Sequence, residues 1–198
     1  MFDTLYRHHL VRLLVRGTMP VLLVSAVVIT VCLALRLKQV QDTLPVAPFR
    51  TSERAPTLRL QPVRGSTEVL TFDRGALPVL LYWFSPHCSW CEVNFANFQE
   101  LAAQSVGRYK FVPISTASLT DLHAYVSSKG IQYPVYNIST GAASDYRLQG
   151  TPDTLLLSPR GVMIRHWPGA YMPSRLTEIE SVLAINLPGF ARTVTATK

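Results

Sequence analysis

The sequence predicts an α/β sandwich built on a mixed sheet, and three observations predict it. Residues 79–85 read VLLYWFS, too apolar for a half-exposed strand and suited to a central strand buried on both faces. A helical pattern follows at once, and strand and helix patterns then alternate. The chain closes with two alternating runs around a tight turn and one amphipathic helix.

Each element has its own signal. Leu58 and Leu60 alternate with polar residues, as do Val69, Leu70 and Phe72, around a turn at Arg64-Gly65-Ser66, the pattern of a hairpin. Residues 89–104 read as one helix with Phe95, Phe98, Leu101 and Ala102 toward the core. KFVPI, 110–114, is a second core strand, and Ser118 with Asp121 forms a capping box for a helix through Lys129. Pro134-Val135-Tyr136 is a short extended piece, and 143–148 supply one or two helical turns. Residues 154–157 and 162–167 pair around Ser158-Pro159-Arg160-Gly161. Ser174 is placed to cap a last helix carrying Leu176, Ile179 and Leu183 as a stripe, and 186–198 read as a flexible tail. There is no internal repeat.

The chain has 198 residues, enough for one ordinary domain and extra segments. Its net charge of +7 comes from singly scattered Arg and Lys rather than a basic run, so no nucleic-acid partner is expected. Residues 18–35 carry no charge. A bilayer requires about 20 apolar residues, with a workable range of about 17–25. Arg16, Arg36 and Lys38 can snorkel at the ends, and Pro20 falls in the tolerated first turn. A cleaved signal peptide fits less well, because the apolar stretch is long and no A-x-A site follows. Val31 before Cys32 argues against lipidation there.

Arg7, Arg12 and Arg16 precede the span, against Arg36 and Lys38 after it, which favours an inside N-terminus. The expected organisation is a cytoplasmic tail over 1–17, a single transmembrane anchor over 18–36, a linker over 37–54, the folded domain over 55–185 and the tail over 186–198.

Chemistry is concentrated at Cys88 and Cys91. A C-x-x-C that opens a helix puts both sulfurs on one face, at a separation a disulfide can span. Such a bond closes almost no loop, so it adds little stability and its value lies in making and breaking. Cys88, at the helix start, meets unpaired N–H groups that favour thiolate and is read as the nucleophile. Cys91, one turn in, is read as the more buried thiol that releases a mixed disulfide. The bland alternatives are half of a zinc site or two unrelated buried cysteines; His87, His123 and His166 lack ligand spacing. No metal and no cofactor are expected.

Residues 55–185 resemble the thioredoxin-like superfamily, most nearly its TlpA/ResA-like membrane-anchored thiol–disulfide oxidoreductases. The resemblance is carried by Ala55-Pro56-Thr57-Leu58, VLLYWFSPHCSWC, Tyr133-Pro134-Val135, and Tyr146-Arg147-Leu148-Gln149-Gly150-Thr151-Pro152 leading into TLLL and SPRGVMIRHWPG. It implies a thioredoxin-like fold, a redox-active Cys88–Cys91 pair, and a cis Thr151–Pro152 bond facing the cysteines, with Thr151 free to pair with an extended substrate. Trp90 is read as a substrate contact or as a cover for the disulfide.

The resemblance also implies a single-pass protein of a bacterial inner membrane with its domain facing the periplasm or cell exterior. Its partners would be thiols and disulfides of exported proteins, such as cytochrome c maturation substrates or metal-site cysteines. A membrane dithiol donor would supply electrons. Three departures stand out: Tyr82 and Asn94 occupy places where acidic residues are common, and Ser89-Trp90 lacks the usual proline. Glu92 is adjacent, but the next residue on a helix points elsewhere, leaving the proton acceptor for Cys91 open. Competing readings are a thiol peroxidase and a copper-binding chaperone using Cys88, Cys91 and His87.

Overall fold

The computed structural model describes residues 23–36, 38, 52–72 and 76–190. The chain divides into two units, Met1–Val46 and Ala47–Lys198. Within the first, residues 23–36 are helical and their apolar side chains are exposed on every side. Among the described residues no helix is long and apolar enough to cross a membrane. The expected anchor begins at 18 and so lies partly outside the described residues, as do the tail over 1–17 and most of the linker.

The second unit is a mixed sheet of seven strands: β1 (Leu58–Pro62), β2 (Glu68–Leu70), β3 (Val79–Trp83), β4 (Lys110–Ser115), β5 (Tyr136–Asn137), β6 (Asp153–Leu157) and β7 (Met163–Pro168). Their order in space is β2-β1-β5-β4-β3-β6-β7. β3 pairs parallel to β4 and antiparallel to β6, so the apolar run sits inside the sheet, as its composition requires. Leu80, Tyr82 and Phe84 face one core; Val79 and Leu81 face the other. Helices α1 (Ser89–Val93), α2 (Phe95–Ser105), α3 (Leu119–Ser128) and α5 (Pro173–Leu183) contribute to the first core; α4 (Thr140–Asp145) contributes to the second. Phe98 is the hub of the first, with ring centroids 4.7 Å from Tyr82 and 5.5 Å from Phe84.

The hairpin, the buried strand and the Ser118 capping box appear as the sequence predicts: the Ser118 hydroxyl accepts from the Asp121 N–H at 3.1 Å. Gly161 takes φ +75° in the β6–β7 turn, and a Cβ there would lie 2.6 Å from the Phe72 ring, so no other residue fits. Phe72 itself falls just beyond β2.

Four expectations require correction. The helix predicted over 89–104 is two helices that meet at Asn94, whose buried side chain bonds to other parts of the domain. The one or two helical turns predicted over 143–148 are present but shifted to Thr140–Asp145, because the Ser139 hydroxyl accepts from Ala142 N–H and sets an earlier start. Ser174 does not cap α5; Pro173 begins it, in the position where a missing N–H costs nothing, with Met172 before it. The start of the tail is not loose. Leu187 is 9% exposed with its N–H on Glu180, and the Gly189 N–H reaches Asn97 Oδ1 at 2.8 Å.

Candidate active site

The end of β3 delivers the chain to Ser85-Pro86-His87, and α1 begins one residue after Cys88. Cys88 is the N-cap residue: its sulfur accepts from the Cys91 N–H at 3.3 Å, a role that oxygen side chains usually fill. The Cys88 thiol points at the Thr151 carbonyl, 3.2 Å away. Thr151–Pro152 is cis, as the resemblance implies, and leads straight into β6 beside β3. Two segments 63 residues apart in sequence are thus joined at one sulfur because β3 and β6 are neighbours in the sheet. Trp90 is 56% exposed and Pro152 is buried. Cys88 and Cys91 are both free thiols.

The two thiols differ sharply. Burial pushes Cys88 up, but hydrogen bonds from the Thr151 and Cys91 side chains and from the backbone of Cys91 and Trp90 outweigh it, and the net shift is downward. Burial pushes Cys91 up to about 12, with the neighbouring Cys88 adding to the rise. Cys88 is thus the thiol that ionises first, and Cys91 the one that stays protonated. Iodoacetamide at pH 7 is therefore expected to label Cys88 over Cys91 by more than about tenfold, read by peptide mass spectrometry. Preferential labelling of Cys91 contradicts this assignment.

The two non-acidic positions meet. Asn94 Nδ2 donates to the Tyr82 hydroxyl at 3.0 Å, and Asn94 Oδ1 accepts from Asn97 Nδ2 at 2.9 Å and from the Tyr171 N–H at 3.3 Å. Tyr82 and Cys91 share the first core, and the phenol lies within electrostatic reach of that sulfur. A neutral phenol–amide pair thus stands where acids are common in the family resembled. The signal was present in Tyr82 and Asn94 separately, but nothing in the sequence pairs them.

A second polar pair was not foreseen. Asp153 is 1% exposed, directly follows the cis proline, and lies 2.8 Å from His166 on β7. Burial raises its carboxyl, and the His166 hydrogen bond offsets part of the rise. His166 is therefore committed to Asp153. His87 is exposed with its Nε2 3.9 Å from Asp121, and Glu92 is bonded to Lys129. Among the described residues no three His, Cys, Asp or Glu side chains gather at one point.

No family model and no characterised sequence relative matches the chain. Solved structures do. The thioredoxin domain of a thiol-disulfide oxidoreductase from Bacteroides vulgatus aligns with a TM-score of 0.55 at 16% identity, over 68% of this chain and 98% of that one. The fold is thioredoxin-like. StoA from Bacillus subtilis aligns at 0.51 and 14% identity over 62% and 95% of the two chains. Peroxidoxin BcpB from Mycobacterium tuberculosis aligns at 0.55 and 16% over 69% and 95%. At these identities the likeness is one of fold, and function rests on the site.

Proposed function

We propose that the protein is a membrane-anchored, extracytoplasmic thiol–disulfide oxidoreductase that reduces disulfides in exported proteins. The observation that carries it is the arrangement at Cys88. An accessible thiol with a lowered pKa caps α1, and the thiol that can resolve it is buried three residues on. The Cys88 thiolate attacks a substrate disulfide; Cys91 then attacks Cys88 and frees the substrate thiol. A peroxidase reading is less well supported, because a resolving thiol within one helical turn suits exchange with protein disulfides. A copper-carrier reading would lean on His87, which faces Asp121.

The reducing direction is supported by what surrounds the thiolate. No cation lies between the cysteines, so the reduced form lacks the extra stabilisation a strong oxidant requires. Titration of the pair against dithiothreitol or glutathione is expected to give a potential toward about −250 mV; a value near about −120 mV overturns the direction.

The anchor is supported by the described helix over 23–36, uncharged up to Leu35 and apolar around its circumference. A helix apolar on all sides needs a nonpolar surrounding, and lipid supplies it. The tether holds the domain near a membrane dithiol that would recharge it. Protease added to intact cells is expected to degrade the Cys88 domain in a chain whose N-terminal segment is retained. Protection of the domain contradicts the extracytoplasmic placement.

A further inference from the structure

Beside Cys88 lies a groove of about 220 Å³ lined by Trp90, Thr151, Gly169, Ala170, Met172 and Arg175. Trp90 and Met172 are 56% and 49% exposed, two large apolar side chains left facing solvent at the reactive thiol. Arg175 is the charged residue of the lining. Its Nη1 donates to the Ala170 carbonyl at 3.1 Å, which fixes the guanidinium over the loop between β7 and α5. Gly169 makes this approach possible. It takes φ +83°, its N–H bonds to the Pro152 carbonyl at 2.8 Å, and a Cβ there would lie 3.1 Å from Arg175 Nη1.

The guanidinium is therefore tied to the same loop system that presents Thr151 to Cys88. Among the described residues no carboxylate lies within ion-pair distance of Arg175. Asp153 acts on it electrostatically, but that carboxylate is buried and bonded to His166. A guanidinium has five N–H donors in a planar fork, and the hydrogen bond to Ala170 uses one.

Resting on the exchange reading above, we propose that this groove selects extended peptide segments that carry an acidic side chain two residues from the reacting cysteine, held by Arg175, while an apolar side chain on the same face of the segment packs between Trp90 and Met172. The complement to a fixed fork of N–H donors is a carboxylate, which can take two of them together. An extended segment aligned on the Thr151 backbone sends alternate side chains to the same face, so a cysteine over Cys88 and the residue two places away over the groove are compatible. The reaction balances without a further reagent. Cys88 thiolate displaces one substrate sulfur, and Cys91 then displaces the other. The two substrate thiolates take up the Cys91 proton and the proton Cys88 had released to solvent, and the Cys88–Cys91 pair is oxidised by two electrons.

The test uses the full-length protein in mild detergent, reduced beforehand, with symmetrical disulfides of one short peptide that carries Asp, Asn or Lys two residues from its cysteine. Each rate is divided by the rate with dithiothreitol to remove intrinsic reactivity. The Asp peptide is expected to exceed the Lys peptide in second-order rate constant by about five- to tenfold at low salt, with the ratio falling as salt rises. Arg175→Gln is expected to bring the ratio near one and Arg175→Glu to invert it; a ratio is insensitive to a loss of folded protein. Equal Asp and Lys rates in the unsubstituted protein overturn the selectivity alone, as does a preference that survives Arg175→Gln. Reduction of no peptide overturns the exchange reading and the selectivity with it.

Discussion

Cys91→Ser is expected to accumulate as covalent adducts through Cys88, visible as non-reducing gel bands that collapse with dithiothreitol, while turnover falls to the uncatalysed background. Cys88 retains features that activate it: its sulfur still accepts the backbone N–H of residue 91, and the Thr151 side chain that helps lower its pKa is unchanged. Attack on a substrate disulfide therefore proceeds. What is lost is the second displacement, since the hydroxyl of serine is a far poorer nucleophile than a thiolate.

Cys88→Ser is expected to give no adducts and no turnover, because Cys91 is 3% exposed and held near a pKa of about 12. The double variant should match it. Adducts that persist in Cys88→Ser would transfer the nucleophilic role to Cys91 and reverse the mechanism.

Asn94→Ala is expected to lower stability by about 3 kcal/mol, or roughly 10 °C in Tm for a domain of this size. The substitution strips partners from three groups in a buried region: the Tyr82 hydroxyl, the Asn97 amide and the Tyr171 N–H. A buried donor left without an acceptor costs about 1–3 kcal/mol, more than the net value of the bond itself. Asn94→Asp retains both acceptor functions and should recover much of the loss, since the Tyr82 hydroxyl can donate to the new carboxylate. It also places a negative charge one helical turn beyond Cys91, which should disfavour the Cys91 thiolate further and slow resolution. Thermal unfolding of the full chain in detergent, alongside the decay of a preformed mixed disulfide, measures both effects. A Tm within about 2 °C of the unsubstituted protein would show that the Asn94 network contributes nothing to stability.

The sequence by itself determined the order of elements, the buried central strand and the place of Cys88 at a helix start. These are local matters: hydrophobic period, turn residues and capping chemistry are written within a few neighbours. It also marked Thr151-Pro152, through resemblance, as the segment that faces the thiols. Boundaries drifted wherever a distant partner set them. α1 and α2 separate because Asn94 bonds to Tyr82 and Tyr171, 12 and 77 residues away. The first residues of the tail are held by Asn97 and Gln104 of α2 and by Glu180 of α5.

Only the tertiary structure decided which polar residues share a site. The sheet order brings β3 next to β6, and with it Cys88 to Thr151. It likewise sets Asp153 against His166 across β6 and β7, and the loop after β7 sets Arg175 beside Trp90. A linear pattern records which side chains can hydrogen-bond or ionise. Which of them lose water together is fixed only when strands pair and helices pack, and that shared desolvation is what separates the two thiols.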